Sequence, residues 1–311
     1  MKRTLLLLLA AALLPAFGAS AFSLVKSDKE KEELKGQVKT VKEFNLRKAE
    51  YFHADTVAKY RRLGKPLPKY ERALSNIYTY DVKGRKTVKE DPILERKTVS
   101  SYNPNIRNCM LAEVSDTYFN GELSRRYAFN IGADGIPISA KATDGSGKTI
   151  FTETFTATRD GNKTNVRCEH VNADGTVSIQ NLVLRPDHSI SSLAIEEGQK
   201  RQKFRFNEDE LPVEISIDSP YQTIHQVIVL SPDKQVSYAV TPDGSHKLVR
   251  QALLDKNGNP YEIDRYDDNG NLVEITSFIY KYDNQGNWIK RSKFVNSNSA
   301  SEIIEREITY Y

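Results

Sequence analysis

Cys168-Glu169-His170 is the stretch whose residue types come closest to a catalytic set, because it places a thiol, a carboxylate and an imidazole side by side. Alternate residues of a strand project from the same face, so Cys168 and His170 would share one face while Glu169 occupies the other. A thiol activated by a neighbouring imidazole is the chemistry of cysteine nucleophiles. A Cys168–His170 nucleophile pair is therefore one interpretation of this stretch.

A disulfide is the competing interpretation of the same thiol. The chain has two cysteines, Cys109 and Cys168, and two cysteines in an exported protein favour a bridge. The bridge would close a loop of about 60 residues, worth roughly 4 kcal/mol in the loop-entropy model. A bridged Cys168 would not be a nucleophile, so the two interpretations exclude each other.

Other candidate motifs are incomplete. The stretch 142–149 lacks the first glycine of a phosphate-binding loop, and the pattern favours a hairpin tip. Asp187-His188-Ser189 lacks the context of a nucleophile elbow and is typical of a polar turn. The five histidines show neither His-x-His nor His-x-x-x-His spacing. The sequence therefore predicts no catalytic, cofactor-binding or metal-binding residues.

Carboxylates offer a second route to catalysis. Glu153, Glu169, Glu196 and Glu214 lie in or near predicted strands, and paired carboxylates carry out glycan hydrolysis. An exported hydrolase directed at glycans or peptides, whose carboxylates converge only in the fold, is the alternative hypothesis.

The elements that must position these residues are hairpins with a repeated turn. The phrase Asp-x-x-Gly-Asn occurs at 255–259, 267–271 and 283–287. Aspartate at the first position accepts hydrogen bonds from the turn backbone, and glycine at the fourth adopts the left-handed conformation of a hairpin bulge. Asp-rich loops also hold calcium. However, the EF-hand pattern has glycine at the sixth position between helices, so the plain turn is favoured.

Turn signals recur from Asn76 to the end of the chain, with Gly147, Gly161 and Gly175 separated by the length of one strand and one tight turn. The sequence predicts a mainly β protein, an antiparallel meander of repeated hairpins in an elongated, curved or solenoid-like sheet. A capping residue at its start and Gly36 after its end permit a short helix over 27–35. Only Leu34 could anchor this helix, so a frayed N-terminal tail is the competing interpretation. The basic stretch 47–70 is predicted to be an irregular loop.

The first 21 residues are typical of a secretory signal peptide, with a basic head, an apolar run, and Ala19 and Ala21 at the cleavage site. The predicted organisation is 1–21 signal peptide, 22–75 N-terminal segment and 76–311 hairpin domain. Export to the periplasm, outer surface or medium is expected, with no further apolar stretch long enough to span a membrane. Removing Lys2 and Arg3 from the 45 basic residues leaves 43 against 41 acidic ones, which argues against nucleic acid as a partner.

The phrases 80–85, 266–271 and 282–287 each begin with Tyr-Asp and carry glycine at the fifth position. They resemble the YD repeats of bacterial RHS-like proteins, and the chain is similar to the short exported proteins of this kind in Bacteroidota. The resemblance implies a β-hairpin repeat architecture. Enclosure of a toxin, known for large RHS proteins, is not implied, because this chain is far too short to build such a shell.

The favoured hypothesis is an exported non-enzymatic β-repeat protein that binds an envelope protein or a glycan, or scaffolds the envelope, without a cofactor. Aromatic rings stack on sugar faces. An aromatic ladder that stabilises the sheet is the competing interpretation of the same rings. The predicted aromatic binding surface consists of Tyr266, Tyr280, Tyr282 and Trp288.

Overall fold

The computed structural model describes residues 32, 34–48, 54–102, 111–297 and 299–311. These residues form one α-helix, α1 (Ala54–Arg62), and twenty β-strands. The strands are β1 Val38–Lys48, β2 Tyr70–Tyr80, β3 Lys86–Asp91, β4 Arg96–Tyr102, β5 Leu111–Tyr118, β6 Leu123–Ile131, β7 Pro137–Asp144, β8 Thr149–Asp160, β9 Lys163–Asn172, β10 Val177–Leu184, β11 Ile190–Glu197, β12 Lys200–Phe206, β13 Pro212–Ser219, β14 Gln222–Leu230, β15 Lys234–Val240, β16 His246–Leu254, β17 Pro260–Tyr266, β18 Leu272–Tyr282, β19 Trp288–Val295 and β20 Glu302–Tyr310.

Each strand pairs antiparallel with the next, and β20 pairs with β1. Because β1 also pairs with β2, the sheet closes into a ring of twenty strands, a β-barrel. The predicted mainly β, antiparallel meander is thus confirmed. The prediction of an open or solenoid-like sheet built from YD repeats of the RHS type is wrong, because the hairpins belong to a closed ring. β1 and most of β2 come from the predicted N-terminal segment 22–75.

The repeated phrase forms the predicted turn. Asp255 Oδ1 accepts hydrogen bonds from the backbone N–H groups of Asn257 and Asn259, at 2.8 and 2.9 Å. The same two bonds form at Asp267 and Asp283, and the glycine of each phrase has φ between 81° and 86°. A register shift follows in each pair of strands so joined. The aspartates therefore order a turn and bulge, as the turn interpretation requires.

Connections alternate between the two ends of the ring because consecutive strands run in opposite directions. We name the end that carries residues 34–37 and the turns 81–85, 255–259 and 283–287 the lower rim. The opposite end, with α1 and the turns 241–245 and 267–271, is the upper rim. The first and third copies of the phrase therefore lie side by side on the lower rim.

The two faces of the sheet differ in polarity across β8–β13. Five side chains in register across β9–β13 are at most 3% exposed, whereas most of the adjacent row is exposed to solvent. A closed sheet can bury its inner face on itself but not its outer face, so the buried row faces inward. The inward row is Val166, Leu182, Leu193, Phe204 and Ile215, and the outward row is Thr156, Arg167, Asn181, Ala194, Lys203 and Ser216.

Helix α1 corrects the prediction of an irregular loop over 47–70. It ends in a Schellman motif, in which Gly64 (φ 62°) donates its N–H to the carbonyl of Arg61 and Lys65 donates to that of Tyr60, both at 3.1 Å. Basic residues in its last turn complement the helix dipole. Within the parts of the chain that the structure describes, no helix has both the length and the apolar character needed to cross a membrane.

Two predictions fall largely or wholly outside the described residues. The signal peptide, with Ala19 and Ala21 at its cleavage site, lies outside them entirely. Of the helix predicted over 27–35, only Glu32, Leu34 and Lys35 are described, and Leu34 and Lys35 are not helical.

Candidate functional site

Three of the four predicted aromatic residues meet on β18 and β19. Along β18 the rings of Phe278, Tyr280 and Tyr282 stack, with centroids 6.2 and 5.9 Å apart. Trp288 meets Tyr280 edge-on at 6.4 Å. Tyr266 is the last residue of β17 and lies at the upper rim, so it is not part of this stack.

The stacked rings contact other groups of the protein. The guanidinium of Arg306 lies 3.5 Å from the centre of the Trp288 ring, and that of Arg291 lies 5.5 Å from it. Phe278 is buried on the inner face with Ile263 and Ala252. Cation–π and stacking contacts of this kind stabilise a sheet. A glycan-binding role for these rings stays a prediction.

A tyrosine–aspartate contact repeats along the lower rim. The hydroxyl of Tyr282 donates to Asp255 Oδ2 and accepts from Asn259 Nδ2 at 3.0 Å. The hydroxyl of Tyr310 lies in the same way between Asp283 and Asn287, one phrase further along the chain. Burial, with the help of the Asp283 carboxylate, raises the pKa of Tyr310 to about 12. In both lower-rim phrases, the first residue (aspartate) and the last residue (asparagine) therefore hold the tyrosine at the lower end of the strand that follows that hairpin.

The segment before β1 is hydrogen-bonded to the same lower-rim turns. Asn287 accepts the N–H of Lys35 at 2.7 Å and donates to the carbonyl of Lys35 at 3.0 Å. The Nζ atom of Lys35 donates to Asn257 Oδ1 at 2.9 Å. Tyr80 donates its hydroxyl to the carboxylate of Glu32. Glu32 thus does for Tyr80 what the turn aspartates do for the later tyrosines, and it does so where the ring closes.

A second polar group lies inside the apolar core. The side chain of Glu153 is 1% exposed, and it accepts hydrogen bonds from the Tyr127 hydroxyl and from Nδ1 of His170, the latter at 3.1 Å. The Phe151 ring covers the imidazole, with centroids 4.4 Å apart. A carboxylate with so little exposure requires charged or hydrogen-bonding partners.

The hydrogen-bond network assigns two protons to the His170 ring. Thr176 Oγ1 donates to Asp174 Oδ1, so it accepts from Asn172 Nδ2 at 2.9 Å. This orientation turns Asn172 Oδ1 toward His170 Nε2 at 3.0 Å, and Nε2 must donate. With Nδ1 donating to the carboxylate, this arrangement of hydrogen bonds favours the imidazolium form. The hydrogen bond that His170 donates to Glu153 raises the pKa of His170, against the effect of burial.

Glu153 and His170 form a contact that the sequence analysis did not predict. The signal is the alternation Phe151, Glu153, Phe155 along β8, which places one carboxylate on an otherwise apolar face. The partner comes from the neighbouring strand, where the register opposes Glu153 to His170.

Cys168 and His170 lie on the inner face, and Glu169 lies on the outer face, where it accepts a hydrogen bond from Arg167 at 3.0 Å. Cys168 is buried. Burial, aided by the charge of Glu153, raises the pKa of this thiol, which disfavours the thiolate that a nucleophile needs. Cys109 lies outside the described residues, so the Cys109–Cys168 disulfide stays a prediction.

The four carboxylates of the hydrolase hypothesis do not converge. Glu153 points inward, whereas Glu169 lies on the opposite face of the sheet. Glu196 lies on the outer face two strands from Glu169. Glu214 pairs outward with Arg205 at 2.9 Å and with His225 at 3.0 Å. These residues form no carboxylate pair of the kind that glycan hydrolysis uses.

No family model and no curated protein matches the sequence. Among solved structures, a porin-like protein from Bacteroides uniformis is similar over 88% of this chain and 98% of its own, with 9% identity and a TM-score of 0.35. A porin-like protein from Bacteroides vulgatus is similar over 75% of this chain and 93% of its own, with 11% identity and a TM-score of 0.28. A protein described as the eukaryotic initiation factor is similar over 78% of this chain and 85% of its own, with 8% identity and a TM-score of 0.26. None of these three is described as an RHS-like protein, and likenesses this weak carry no argument about function.

The lower-rim contacts predict the effect of removing single hydroxyl groups. Tyr282→Phe and Tyr310→Phe should each lower the free energy of unfolding by about 1–2 kcal/mol, because an aspartate and an asparagine lose their shared partner. Urea denaturation measures this loss. Tyr221→Phe is the matched control, since Tyr221 is 96% exposed and its change should stay within about 0.5 kcal/mol. Equal effects in all three variants would contradict the proposed contacts.

The Glu153–His170 pair predicts a pH dependence of stability. A raised folded-state pKa means that the stabilisation is complete below the unfolded pKa of about 6.5 and is lost as pH rises through the folded value. His170→Gln should cost about 3 kcal/mol at pH 6, since the carboxylate loses its charged partner. The difference in the free energy of unfolding between His170→Gln and the wild type, measured by urea denaturation, should become smaller as the pH is raised.

His225→Gln is the control for this experiment. His225 is paired with Glu214 on the outer face and is 40% exposed in its side chain, so its loss should cost at most about 1 kcal/mol. A His170→Gln difference that stays constant or grows with pH would show that the imidazole is not charged in the folded state.

Proposed function

We propose that this chain is a non-enzymatic closed-barrel protein of the cell envelope, which works in contact with water as a structural and binding module rather than as a membrane-spanning pore. The observation that carries the proposal is the polarity of β8–β13, whose inner face is mostly apolar and whose outer face is mostly polar.

The outward row has the wrong chemistry for lipid. A strand that spans a bilayer in a barrel presents alternate apolar residues to the hydrocarbon. Here Arg167 and Lys203 project outward from the middle of β9 and β12, with the exposed Thr152, Thr154 and Thr156 on β8. An arginine or lysine on the lipid face near the bilayer midplane costs about 2–4 kcal/mol. Water is the solvent that suits this surface.

The inward row has the wrong chemistry for an aqueous channel. Porin-type lumens are lined by polar side chains, but Leu182, Leu193 and Phe204 are at most 2% exposed on the inner face. Side chains with so little exposure are packed against other atoms and leave no water beside them. The strands β8–β13 therefore support a filled interior.

Placement in the envelope draws on the signal-peptide pattern of residues 1–21. The outer face and the rims are then the surfaces open to a partner protein or a glycan. A binding and structural role also fits the use of the Asp-x-x-Gly-Asn phrases, whose aspartates and asparagines hold neighbouring hairpins together.

The test is whether the purified protein enters membranes. Incubated with phosphatidylethanolamine–phosphatidylglycerol vesicles without detergent, it should remain at the bottom of a flotation gradient, and it should give no channel events in a planar bilayer. A porin carried through the same steps is the control that floats and conducts. Flotation together with stepwise conductance would overturn the proposal, and so would loss of the β-sheet circular dichroism signal when detergent is absent.

A further inference from the structure

Arg250 is a charged residue on the inner face of the ring. Arg250 lies two residues before Ala252 on β16, so the two side chains project from the same face. Ala252 is 1% exposed and belongs to a buried cluster with Ile263 and Phe278. Its Nη2 atom is buried and has no hydrogen-bond partner among the described residues. Buried guanidinium nitrogens are normally hydrogen-bonded, so this atom needs an acceptor.

The strand register surrounds Arg250 with an excess of positive charge. Ser237 of β15 stands opposite it on one side and Arg265 of β17 on the other. Glu274 of β18 follows Arg265 in the same row. Its carboxylate lies 3.8 Å from the guanidinium of Arg265 and accepts a hydrogen bond from Thr276 at 3.3 Å. The row therefore carries two positive charges and one negative charge.

The electrostatics of Arg250 show the same imbalance. Burial lowers the pKa of its guanidinium, and the positive charge of Arg265 lowers it further. A guanidinium nevertheless stays protonated in proteins. Like charges directly opposed across two strands destabilise a sheet, and a buried charge without a counter-ion is strongly unfavourable.

An anion would resolve this arrangement. Neighbouring guanidinium groups present parallel N–H donors that match the oxygens of phosphate and carboxylate groups. Ser237, buried beside Arg250, adds a hydroxyl donor on the other side. The side chain of Arg265 is 63% exposed and precedes the turn 267–271, so the site opens toward the upper rim.

We infer that Arg250 and Arg265 form a binding site for the oxyanion group of a ligand, a phosphate or a carboxylate, on the inner face near the upper rim. The site adds a ligand class to the proposed binding module. The oxyanion site rests on the proposed function only for its biological setting. Because the test of the site does not involve membranes, the site and the proposed function can each fail without the other.

The experiment is thermal unfolding of the full chain in Tris chloride, with inorganic phosphate, sulfate or succinate added at constant ionic strength. At saturation the wild type should gain about 3 °C or more in Tm from at least one of these anions. A larger gain with phosphate and sulfate identifies a phosphate-type ligand, and a larger gain with succinate identifies a carboxylate.

Arg250→Met is the decisive variant because it keeps the bulk of the side chain and removes the charge. It should lose the anion-dependent gain and should unfold at a higher temperature than the wild type when no oxyanion is present. Arg250→Lys, which keeps the charge but lacks the planar fork, should keep only part of the gain. Arg205→Gln is the control on the outer face, where Arg205 pairs with Glu214, and it should respond to anions as the wild type does.

A purely structural role for Arg250 gives the opposite pattern. Arg250→Met would then be less stable than the wild type in every buffer and would show the same gain with anions, as a general salt effect does. Titration calorimetry of the wild type measures the binding of phosphate and of succinate directly, without relying on any variant. Absence of saturable binding of both probes at millimolar concentration would overturn the inference.

Discussion

The pairing of β1 with both β2 and β20 is the constraint on which the rest of the structure depends. Residues 38–45, near the start of the described chain, lie in register with residues 304–310 at its end. Among the strands that the structure describes, these are the pairings that turn the meander into a ring. Closure removes the unpaired edges that an open sheet would expose, and it divides the side chains of every strand into an inner and an outer set. The lower-rim contacts of Glu32, Lys35 and Asn287 hold the chain at this point.

Cross-strand register decides where the polar groups of the interior find partners. Glu153 receives a tyrosine and an imidazole from β6 and β9, and the tyrosines of β18 and β20 are held by turns. Buried polar groups that are satisfied in this way fix one register for each strand. Arg250 departs from this pattern, since the register brings it beside another arginine instead of a carboxylate. That departure is what marks it as a place for a ligand.

The turns and the antiparallel meander could be predicted from the sequence because their causes are local. Aspartate and glycine three positions apart order a turn with no outside help, and alternation identifies the strands on either side. The end of α1 was also locally encoded, in Gly64 after a basic turn, but the absence of a clear apolar stripe hid the helix. The closure of the ring could not be predicted, because it joins residues about 260 positions apart or more (Glu43 and Arg306 are 263 apart) and no motif marks it.

The candidate sites were predicted only where residues are neighbours in the chain. The stack of Tyr280 and Tyr282 follows from their spacing along one strand. The role of those hydroxyl groups did not follow, because Asp255 belongs to another hairpin and the contact depends on how adjacent hairpins sit in the ring. The Arg250–Arg265 pair and the Glu153–His170 pair are likewise set by cross-strand register, which a single sequence does not specify.

Engineered disulfides measure closure most directly. Thr40 of β1 lies opposite Thr309 of β20 and opposite Thr79 of β2, and the hydroxyls of Thr40 and Thr309 are 2.5 Å apart. Directly opposed residues of antiparallel strands are close enough for a disulfide. In a chain carrying Cys109→Ser and Cys168→Ala, the pair Thr40→Cys and Thr309→Cys should form a disulfide under mild oxidation as completely as the pair Thr40→Cys and Thr79→Cys. A bridge from β1 to β2 without a bridge from β1 to β20 would show that the sheet is open.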